Sequence, residues 1–199
     1  MIIDLVRHAG TGRDAHLDGR SDPPLLAGSH HALCQAYAGR QWQRVICSPR
    51  LRALHTALAL AVPRGLDVQP EPDWEELDFG DWDGLPIDAL PEQSLAGFHR
   101  DPHAFPPPNG EGWGHFERRI ARALDRLFDE DEAFDAAPTL VVTHGGPLRM
   151  VLSQACRLPM ASGWALRIDH GTRLRLRVER EDDGLWGELL ELQQPVGDA

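Results

Sequence analysis

The chain has 199 residues, enough for one domain with a sizeable hydrophobic core, and its composition is that of an ordinary globular protein. Its formal net charge is −11, from 20 basic and 31 acidic side chains, which argues against nonspecific binding to nucleic acid or to an acidic membrane surface. An anionic substrate would therefore need a local basic pocket. We expect a single domain over residues 1–199.

The cysteines and the first residues indicate the cellular compartment. Cys34, Cys47 and Cys156 are far apart and no C-x-x-C pattern is present, so neither a disulfide framework nor a zinc site is predicted. Cys47 and Cys156 lie in apolar stretches, which predicts buried thiols. Asp4 interrupts the first apolar residues, so no signal peptide is expected, and no apolar run approaches the length of a membrane span. The predicted location is the cytoplasm, without a membrane partner.

The first element is an apolar stretch rich in β-branched residues, which predicts a buried strand over residues 1–6. It ends at Arg7-His8, and Gly10 and Gly12 then indicate a turn. In α/β sheets, ligands bind where parallel strands end at their carboxyl edge. If this stretch is considered alone, the simplest role of His8 is to end the strand. Three later stretches instead favour a functional role, in which Arg7 is a cation and His8 a nucleophile, both facing a crevice.

A polar loop over residues 13–24 leads to a helix predicted from residue 25 or 26 to residue 38, and a second buried strand follows over residues 43–47. The pair His30-His31 lies within the helix. Adjacent helical residues point in different directions, so this pair is a poor metal chelate and is better explained as part of a solvated face.

A helix is predicted over residues 50–61, with Ser48 placed to cap it. Arg50 and Arg52 both stand near its start, where free backbone amides and the helix dipole favour an anion. The two arginines face apart, and their spacing alone does not choose between them.

Residues 65–70 suit a short strand, and the acidic, aromatic and glycine-rich stretch 73–86, which contains Glu76, suits a structured loop of the kind that carries functional groups. Residues 91–113 lack a clear periodicity and are predicted to be irregular. We expect the region around 85–115 to form a lid-like excursion over the sheet.

A strong amphipathic helix is predicted from Phe116 to about residue 130, with an acidic, solvated end over residues 129–135. A third buried strand follows over residues 139–143 and ends at His144-Gly145-Gly146. A helix is predicted over residues 147–158. His144 therefore lies between the end of a strand and the N-terminus of a helix, where an anion is favoured.

The last elements are predicted to form a hairpin over residues 172–180 and 185–192, joined by a turn at 182–184. Apolar and basic residues alternate on its first strand, which indicates one wet face. In so acidic a chain, this arginine row suits a solvated strand face better than a nucleic-acid patch. The row consists of Arg173, Arg175 and Arg177.

Strands alternating with helices predict an α/β fold with three layers, α/β/α, around a central and mostly parallel sheet. Arg7, His8, Arg52 and His144 would meet at one edge of that sheet, with Glu76 supplied by the acidic loop. Arginine forks suit the oxygens of a phosphoryl group, a neutral imidazole attacks phosphorus, and a carboxyl group protonates the leaving oxygen. The sequence therefore predicts phosphoryl transfer.

Four stretches carry a family resemblance: Leu5-Val6-Arg7-His8 followed by Thr11, then residues 47–57, 76–80 and 142–146. They resemble the Arg-His-Gly-x-Thr signature, the Ser-x-x-x-Arg-Ala-x-x-Thr-Ala helix, the acid loop and the second-histidine motif of the histidine phosphatase superfamily, also called the phosphoglycerate-mutase-like family. The four stretches follow the family's order over nearly the whole chain. The resemblance implies the phosphoglycerate-mutase-like version of the α/β fold.

The resemblance also implies a phosphomonoesterase that acts through a phosphohistidine, without a cofactor or a metal. His8 becomes phosphorylated, and Glu76 protonates the leaving alcohol and then helps to activate water. The resemblance also selects Arg52 over Arg50 as the second phosphate-binding arginine. The residues expected to bind the phosphoryl group are Arg7, Thr11, Arg52, His144 and Gly145.

Residues 19–25, 78–86 and 107–111 resemble the alpha-ribazole phosphatases of cobalamin synthesis, a branch of the same family. The resemblance therefore implies a small phosphorylated metabolite as substrate, with alpha-ribazole 5'-phosphate as the candidate. Related stretches also occur in broader phosphatases, so they leave the substrate open.

Three departures from the family pattern stand out. Ala9 replaces the usual glycine after the nucleophile, and its Cβ is expected to crowd the pocket or strain the backbone. Gly112 stands where a serine often follows Gly-Glu. The asparagine that mutases carry beyond the nucleophile is missing, since Ala15 and His16 occupy that region, and this disfavours a mutase.

Three alternative functions stay open on the sequence. They are a cofactor-dependent phosphoglycerate mutase, a non-catalytic phosphate-binding module suggested by Ala9, and a metalloenzyme built on the ten histidines, although no histidine pair has a convincing ligand spacing. The sequence also leaves open whether the chain forms a homodimer.

Overall fold

The computed structural model describes residues 1–129, 137–182 and 184–194. Within these residues, six strands form one sheet with helices on both of its faces, which confirms the three-layer α/β/α prediction. None of the helices described there combines the length and the apolar character needed to cross a bilayer. The strands are β1 (Ile2–Arg7), β2 (Arg44–Cys47), β3 (Val68–Pro70), β4 (Thr139–Thr143), β5 (Arg173–Glu181) and β6 (Gly184–Gln193), and the helices are α1 (Ser29–Ala36), α2 (Leu51–Ala61), α3 (Glu92–Arg100), α4 (Trp113–Asp129), α5 (Gly145–Ala155) and α6 (Met160–Gly163).

The strand order across the sheet is β3-β2-β4-β1-β5-β6. The first four strands in that order are parallel, while β5 runs antiparallel to β1 and β6 antiparallel to β5. The carboxyl ends of β1, β2 and β4 therefore lie at one edge of the sheet. Because β5 runs the other way, its amino end lies at that same edge.

The alternation of side chains along each strand divides the core into two layers. On β4, Val141 belongs to an apolar cluster shared with α4 and α5, whereas Leu140 and Val142 belong to a second cluster shared with α1 and α2. Both faces of the central strands are buried, which explains why their sequences are continuously apolar.

The predictions for residues 25–38 and 91–113 were wrong, the first in the extent of the helix and the second in the type of structure. Helix α1 begins only at Ser29, because the preceding residues are held against the first loop by a hydrogen bond from the Leu26 amide to the Gly10 carbonyl (2.8 Å). The stretch 91–113 is not irregular, since it contains α3, whose Phe98 packs edge-on against Trp113 at 5.7 Å between ring centroids. That this region acts as a lid stays a prediction.

The hairpin prediction was correct in topology and wrong about its wet face. Arg173 is fully buried and pairs with Asp4, which is itself fully buried in β1, at 2.7 Å. Arg175 is the partner of Asp4 in the β1–β5 register and binds the same carboxylate at 2.8 Å. A buried carboxylate requires such partners, which explains the two arginines beside Asp4. Of the three arginines in the row, Arg173 is buried, Arg175 is partly exposed and Arg177 is exposed.

The remaining predictions concern helix α4, the turn after β5 and the cysteines. Helix α4 begins at Trp113, three residues before the predicted start, while the acidic end over residues 130–135 and the turn residue 183 lie outside the described residues. Cys47 is buried, and burial raises its pKa to about 12. Cys156 is only partly buried, and Cys34, Cys47 and Cys156 are free thiols.

Candidate active site

The register of the parallel strands brings the two predicted site histidines together. Arg7 pairs with Thr143 across β1 and β4, and the amide of His8 donates to the Thr143 carbonyl at 2.9 Å. The next residues, His8 and His144, are both buried, and their rings lie 5.1 Å apart in an edge-to-face arrangement. The expected meeting of the two strand ends is thus found.

The protonation of His8 follows from its neighbours. Its Nδ1 lies 2.8 Å from the Ala9 carbonyl, which only accepts, so Nδ1 carries the hydrogen and the lone pair is on Nε2. Burial lowers the pKa of His8 well below its ordinary value, and the positive charge of Arg7 lowers it further. At neutral pH, His8 is therefore an uncharged imidazole with a nucleophilic Nε2.

The expected effect of Ala9 on the pocket is not found. Its side chain is buried in the apolar cluster that also contains Val6 and Leu33, and its backbone does not adopt a positive φ. Its amide donates to Thr56 Oγ1 at 3.0 Å, which fixes the backbone next to His8. The methyl group of Ala9 thus belongs to the core and does not line the cavity.

His144 is oriented by Ser48, which was predicted to cap a helix. Nε2 of His144 lies 2.8 Å from Ser48 Oγ, and this oxygen already accepts the Arg50 amide at 3.3 Å. In the tautomer in which the hydroxyl donates to Nε2, Nδ1 of His144 is the protonated nitrogen and a donor toward the site. Burial, followed by the charge of Arg52, lowers the pKa of His144 well below its ordinary value.

Helix α2 is capped by Asp22 instead of Ser48. The carboxylate of Asp22 accepts the Leu51 amide at 2.6 Å and also pairs with Arg52 at 3.0 Å. The capping prediction for Ser48 was wrong because an acidic residue distant in sequence reaches the helix start, and sequence order does not reveal such a contact.

The two predicted phosphate-binding arginines are held by backbone carbonyls. Arg7 donates from Nη1 to the Ile168 carbonyl at 2.7 Å. Arg52, which is 1% exposed, donates to the carbonyls of Asp18 and Ser21, each at 2.7 Å. These contacts fix the guanidinium groups from one side.

Among the buried polar atoms without a hydrogen-bond partner in the described part of the chain, three belong to the predicted phosphate-binding side chains. They are Nε of Arg7, Nε of Arg52 and Nδ1 of His144, and none of them has a hydrogen-bond partner within the described part of the chain. Buried donors are nearly always paired, so unpaired donors on three neighbouring side chains indicate a site for an anion. Their number matches the three non-bridging oxygens of a phosphoryl group in transit.

Glu76 is fixed at the same site by two backbone amides. Oε1 accepts the Leu77 amide at 2.9 Å, and Oε2 accepts the Gly146 amide in the first turn of α5 at 3.0 Å. A Cβ atom at residue 146 would lie 2.1 Å from Oε1, so a side chain there would displace the carboxylate. The predicted acid thus lies beside the second-histidine motif.

Arg119 holds the backbone on which Glu76 is mounted. It donates to the carbonyls of Glu75 (2.7 Å) and Glu76 (2.8 Å), and it pairs with Glu111 at 2.8 Å. Glu111 belongs to the stretch 107–111 that resembles the alpha-ribazole phosphatases. This stretch therefore positions the loop that carries Glu76, because Glu111 pairs with Arg119.

Asp83 has a similar effect on the loop that holds Arg52. Its carboxylate accepts the amides of Gly19, Arg20 and Ser21, each at 2.8 Å, and also the Ser21 hydroxyl. Although burial raises the pKa of Asp83, the hydrogen bonds from Ser21, Gly19 and Arg20 lower it below its ordinary value. Asp83 therefore stabilises the backbone whose carbonyls bind Arg52.

Arg7, His8, Arg52 and Glu76 line one cavity of about 270 Å³. Thr11 and Gly145, both predicted to bind substrate, also line it. Its other side is largely apolar and aromatic, with Leu95 and Phe98 from α3 facing residues of α4 and the segment after α6. The further apolar lining residues include Trp113, Phe116 and Trp164.

The cationic or titratable residues of this cavity that sequence reasoning missed include Arg149 and His170. Arg149 lies on α5 and donates to the carbonyls of Gly145 and Leu166, each at 3.2 Å. His170 lies 4.9 Å from His8 between ring centroids. The position of His170 just before a predicted strand could have indicated this. The amino end of an antiparallel strand lies at the same edge of the sheet as the carboxyl ends of β1, β2 and β4.

His30 and His31, in contrast, pack against each other on α1 at 4.4 Å. The described residues contain no group of three or more His, Cys, Asp or Glu side chains placed to hold a metal ion.

The comparison with known protein families agrees with this geometry. The family model for the histidine phosphatase superfamily (branch 1) matches residues 3–187. The chain belongs to this superfamily.

Two curated relatives are adenosylcobalamin/alpha-ribazole phosphatases. The Escherichia coli protein is 34% identical over 182 residues, and the Salmonella typhimurium protein is 31% identical over 179 residues. In both cases the match covers 86% of this chain and 87% of the relative. A histidine phosphatase with these relatives is a phosphoric monoester hydrolase that acts on a small phosphorylated substrate.

Solved structures show the same architecture. The alpha-ribazole phosphatase from Shigella flexneri superposes with a TM-score of 0.76 at 26% identity, over 96% of each chain. A mycobacterial glucosyl-3-phosphoglycerate phosphatase in complex with VO3 superposes with a TM-score of 0.84 over 96% of this chain and 97% of its own, but at 22% identity it shows the fold alone.

Proposed function

We propose that the enzyme hydrolyses its substrate through a phosphohistidine formed on His8. The observation that carries this proposal is the set of three unpaired donors, on Arg7, Arg52 and His144, beside a neutral imidazole whose Nε2 is unprotonated. These donors would bind the three equatorial oxygens and neutralise their charge without reorganising during the reaction.

In the first step, Nε2 of His8 forms a bond to phosphorus while the bond between phosphorus and the ester oxygen breaks. Glu76 gives a proton to the departing alkoxide, and the hydrogen bond from His8 Nδ1 to the Ala9 carbonyl supports the positive charge that develops on the ring. In the second step, the carboxylate of Glu76 takes a proton from water, the resulting hydroxide attacks phosphorus, and the P–N bond breaks to release phosphate and neutral His8.

We propose alpha-ribazole 5'-phosphate as the substrate. Two relatives that share about a third of their residues with this chain bear that activity in their names. The apolar side of the cavity supports it, because the benzimidazole base of alpha-ribazole is flat and apolar. Phe98 and Trp164, with ring centroids 5.7 Å apart, offer aromatic surface for such a group.

A turnover panel tests this proposal. Alpha-ribazole 5'-phosphate, phosphoserine and the phosphoglycerates are compared in the presence of a chelator, since the side chains present supply the positive charge that a metal would otherwise bring. We expect the highest kcat/KM for alpha-ribazole 5'-phosphate and no transfer between phosphoglycerates. An equal or greater kcat/KM for phosphoserine, or activity that depends on added metal, would contradict it.

Variants of the aromatic wall make the test more specific. Trp164→Leu should lower kcat/KM for alpha-ribazole 5'-phosphate more than for phosphoserine. Trp186→Leu, at a tryptophan of β6 that does not line the cavity, serves as the matched control and should change neither. A cytoplasmic location and a homodimer stay predictions.

A further inference from the structure

The segment 168–172, which connects α6 with β5, surrounds Arg7. The Arg7 amide donates to the Thr172 carbonyl at 3.0 Å, and the Arg7 carbonyl accepts the Gly171 amide at 3.0 Å. On the side chain, Nη1 donates to the Ile168 carbonyl, and Nη2 lies 3.0 Å from Nε2 of His170. A single short segment therefore determines both the backbone and the guanidinium orientation of Arg7.

The protonation of His170 makes the last of these contacts a true hydrogen bond. Nδ1 of His170 lies 2.7 Å from the carboxylate of Asp14, which only accepts, so Nδ1 carries the hydrogen. Nε2 is then a lone pair that accepts from Nη2 of Arg7. Burial and the charge of Arg7 lower the pKa of His170 to about 4, which agrees with an uncharged ring beside a guanidinium.

These contacts fix the orientation of the Arg7 guanidinium group. With Nη1 tied to a carbonyl and Nη2 tied to His170, Nε of Arg7 is left as one of the three unpaired donors. We infer that His170, with its tautomer set by Asp14, is a positioning residue that holds Arg7 so that its Nε–H meets the transferring phosphoryl group. This inference rests on the phosphoryl-transfer function proposed above and adds a residue that lies outside all four family motifs.

A purely structural explanation is that the His170 ring only fills space beside His8. The two explanations differ in what they require at residue 170: the positioning role needs a hydrogen-bond acceptor toward Arg7, whereas filling needs only a ring. His170→Gln keeps an amide oxygen for Arg7 and an amide NH₂ for Asp14. His170→Phe keeps the ring and removes both partners.

Kinetics with an aryl phosphate and binding of vanadate separate these explanations. We expect His170→Phe to lower kcat/KM and vanadate affinity by about tenfold or more, because a hydrogen bond to a charged group is lost, and His170→Gln to restore most of both. His31→Phe, at an exposed histidine of α1, is the matched control and should change neither. Equal losses in the Gln and Phe variants would overturn the inference.

A double-mutant cycle with Arg7 tests the route of the effect. If His170 acts through Arg7, His170→Phe should change vanadate affinity less than about twofold in an Arg7→Ala background, since coupled residues are not additive. A full additional loss in that background would show an independent role. Wild-type turnover, measured first, keeps the outcomes distinct: an inactive wild type contradicts the proposed function, whereas an active wild type with additive variants contradicts only the role of His170.

The tautomer of His170 supplies a readout that does not depend on folding of the Phe variant. Long-range ¹H–¹⁵N correlation spectra of the wild type should show His170 protonated at Nδ1 and unprotonated at Nε2. Asp14→Ala removes an acceptor whose side chain is 80% exposed, so the fold should persist while the Nδ1-protonated signature weakens. A wild-type His170 protonated at Nε2 would overturn the inference.

Discussion

The carboxylate of Glu76 accepts the amide hydrogen of Gly146 at 3.0 Å, so the acid of one loop is anchored at the start of the helix that follows the second histidine. This contact links two motifs that lie far apart in the sequence. It also depends on the absence of a side chain at residue 146, because a Cβ there would meet Glu76 Oε1 at 2.1 Å.

Gly146→Ala should therefore displace the acid more than it destabilises the fold, since the atom it meets is the end of a flexible side chain. General acid catalysis contributes roughly 10²- to 10⁴-fold, so kcat/KM for an alkyl phosphate should fall by about tenfold or more. An aryl phosphate with a good leaving group should lose less. Gly39→Ala is the control, because a Cβ there meets nothing within 4 Å. Equal losses on both substrates would contradict a proton donor at Glu76.

Asp83→Asn should loosen the loop that holds Arg52. An amide would face the Ser21 hydroxyl and the amides of residues 19–21 with one oxygen instead of two, and the loss of a hydrogen bond at this partly exposed site costs about 1 kcal/mol. Chemical denaturation should show this loss, and vanadate affinity should fall with it. The matched control, Asp88→Asn at an exposed aspartate, should leave both unchanged.

The charged form of Asp83 should also make stability depend on pH. Its pKa is lowered in the folded chain, so its contribution is complete above the ordinary value of 3.8 and is lost as pH falls through the folded value. In Asp83→Asn, the free energy of unfolding should therefore fall less than in the wild type as the pH drops below 3.8. An equal fall in the variant and the wild type would contradict the hydrogen-bonded arrangement.

The buried histidines should weaken the fold at mildly acidic pH. His170 has a pKa of about 4 in the folded chain and about 6.5 when unfolded, so the unfolded chain binds more protons between these values. The free energy of unfolding should therefore fall as pH drops from about 6.5 to 4, by at most about 1.4 kcal/mol per pH unit for this one group. The groups that face it are Arg7, His8, Asp14 and Asp169.

Denaturation curves of wild type and His170→Gln across this pH window check the prediction. The variant should show a smaller slope, while His31→Phe should keep the wild-type slope. Identical slopes in His170→Gln and the wild type would mean that His170 is not held neutral by the fold.

The sequence predicted the strand ends because each strand has a continuous apolar pattern that stops at a charged or polar residue. The parallel arrangement then placed Arg7, His8 and His144 at one edge without further information. The family resemblance was needed to select Arg52, whose place in the site depends on carbonyls of a loop some thirty residues earlier in the sequence.

What could not be predicted depended on contacts between distant segments. Helix α3 has few apolar residues, and its position depends on the packing of Phe98 against Trp113 and Trp164. Arg173 has the pattern of a surface residue, and only its partner Asp4 on β1 explains why it is buried. His170 precedes β5, which runs antiparallel to β1. The argument from the carboxyl ends of parallel strands therefore did not predict its place in the site.

Identification of the phosphorylated atom tests the central claim most directly. After rapid mixing with a phosphorylated substrate and quenching, the phosphate should map by mass spectrometry to His8, be labile to acid and stable to base, and be absent in His8→Ala. A label that persists in His8→Ala, or one that withstands acid, would contradict catalysis through a phosphohistidine at this site.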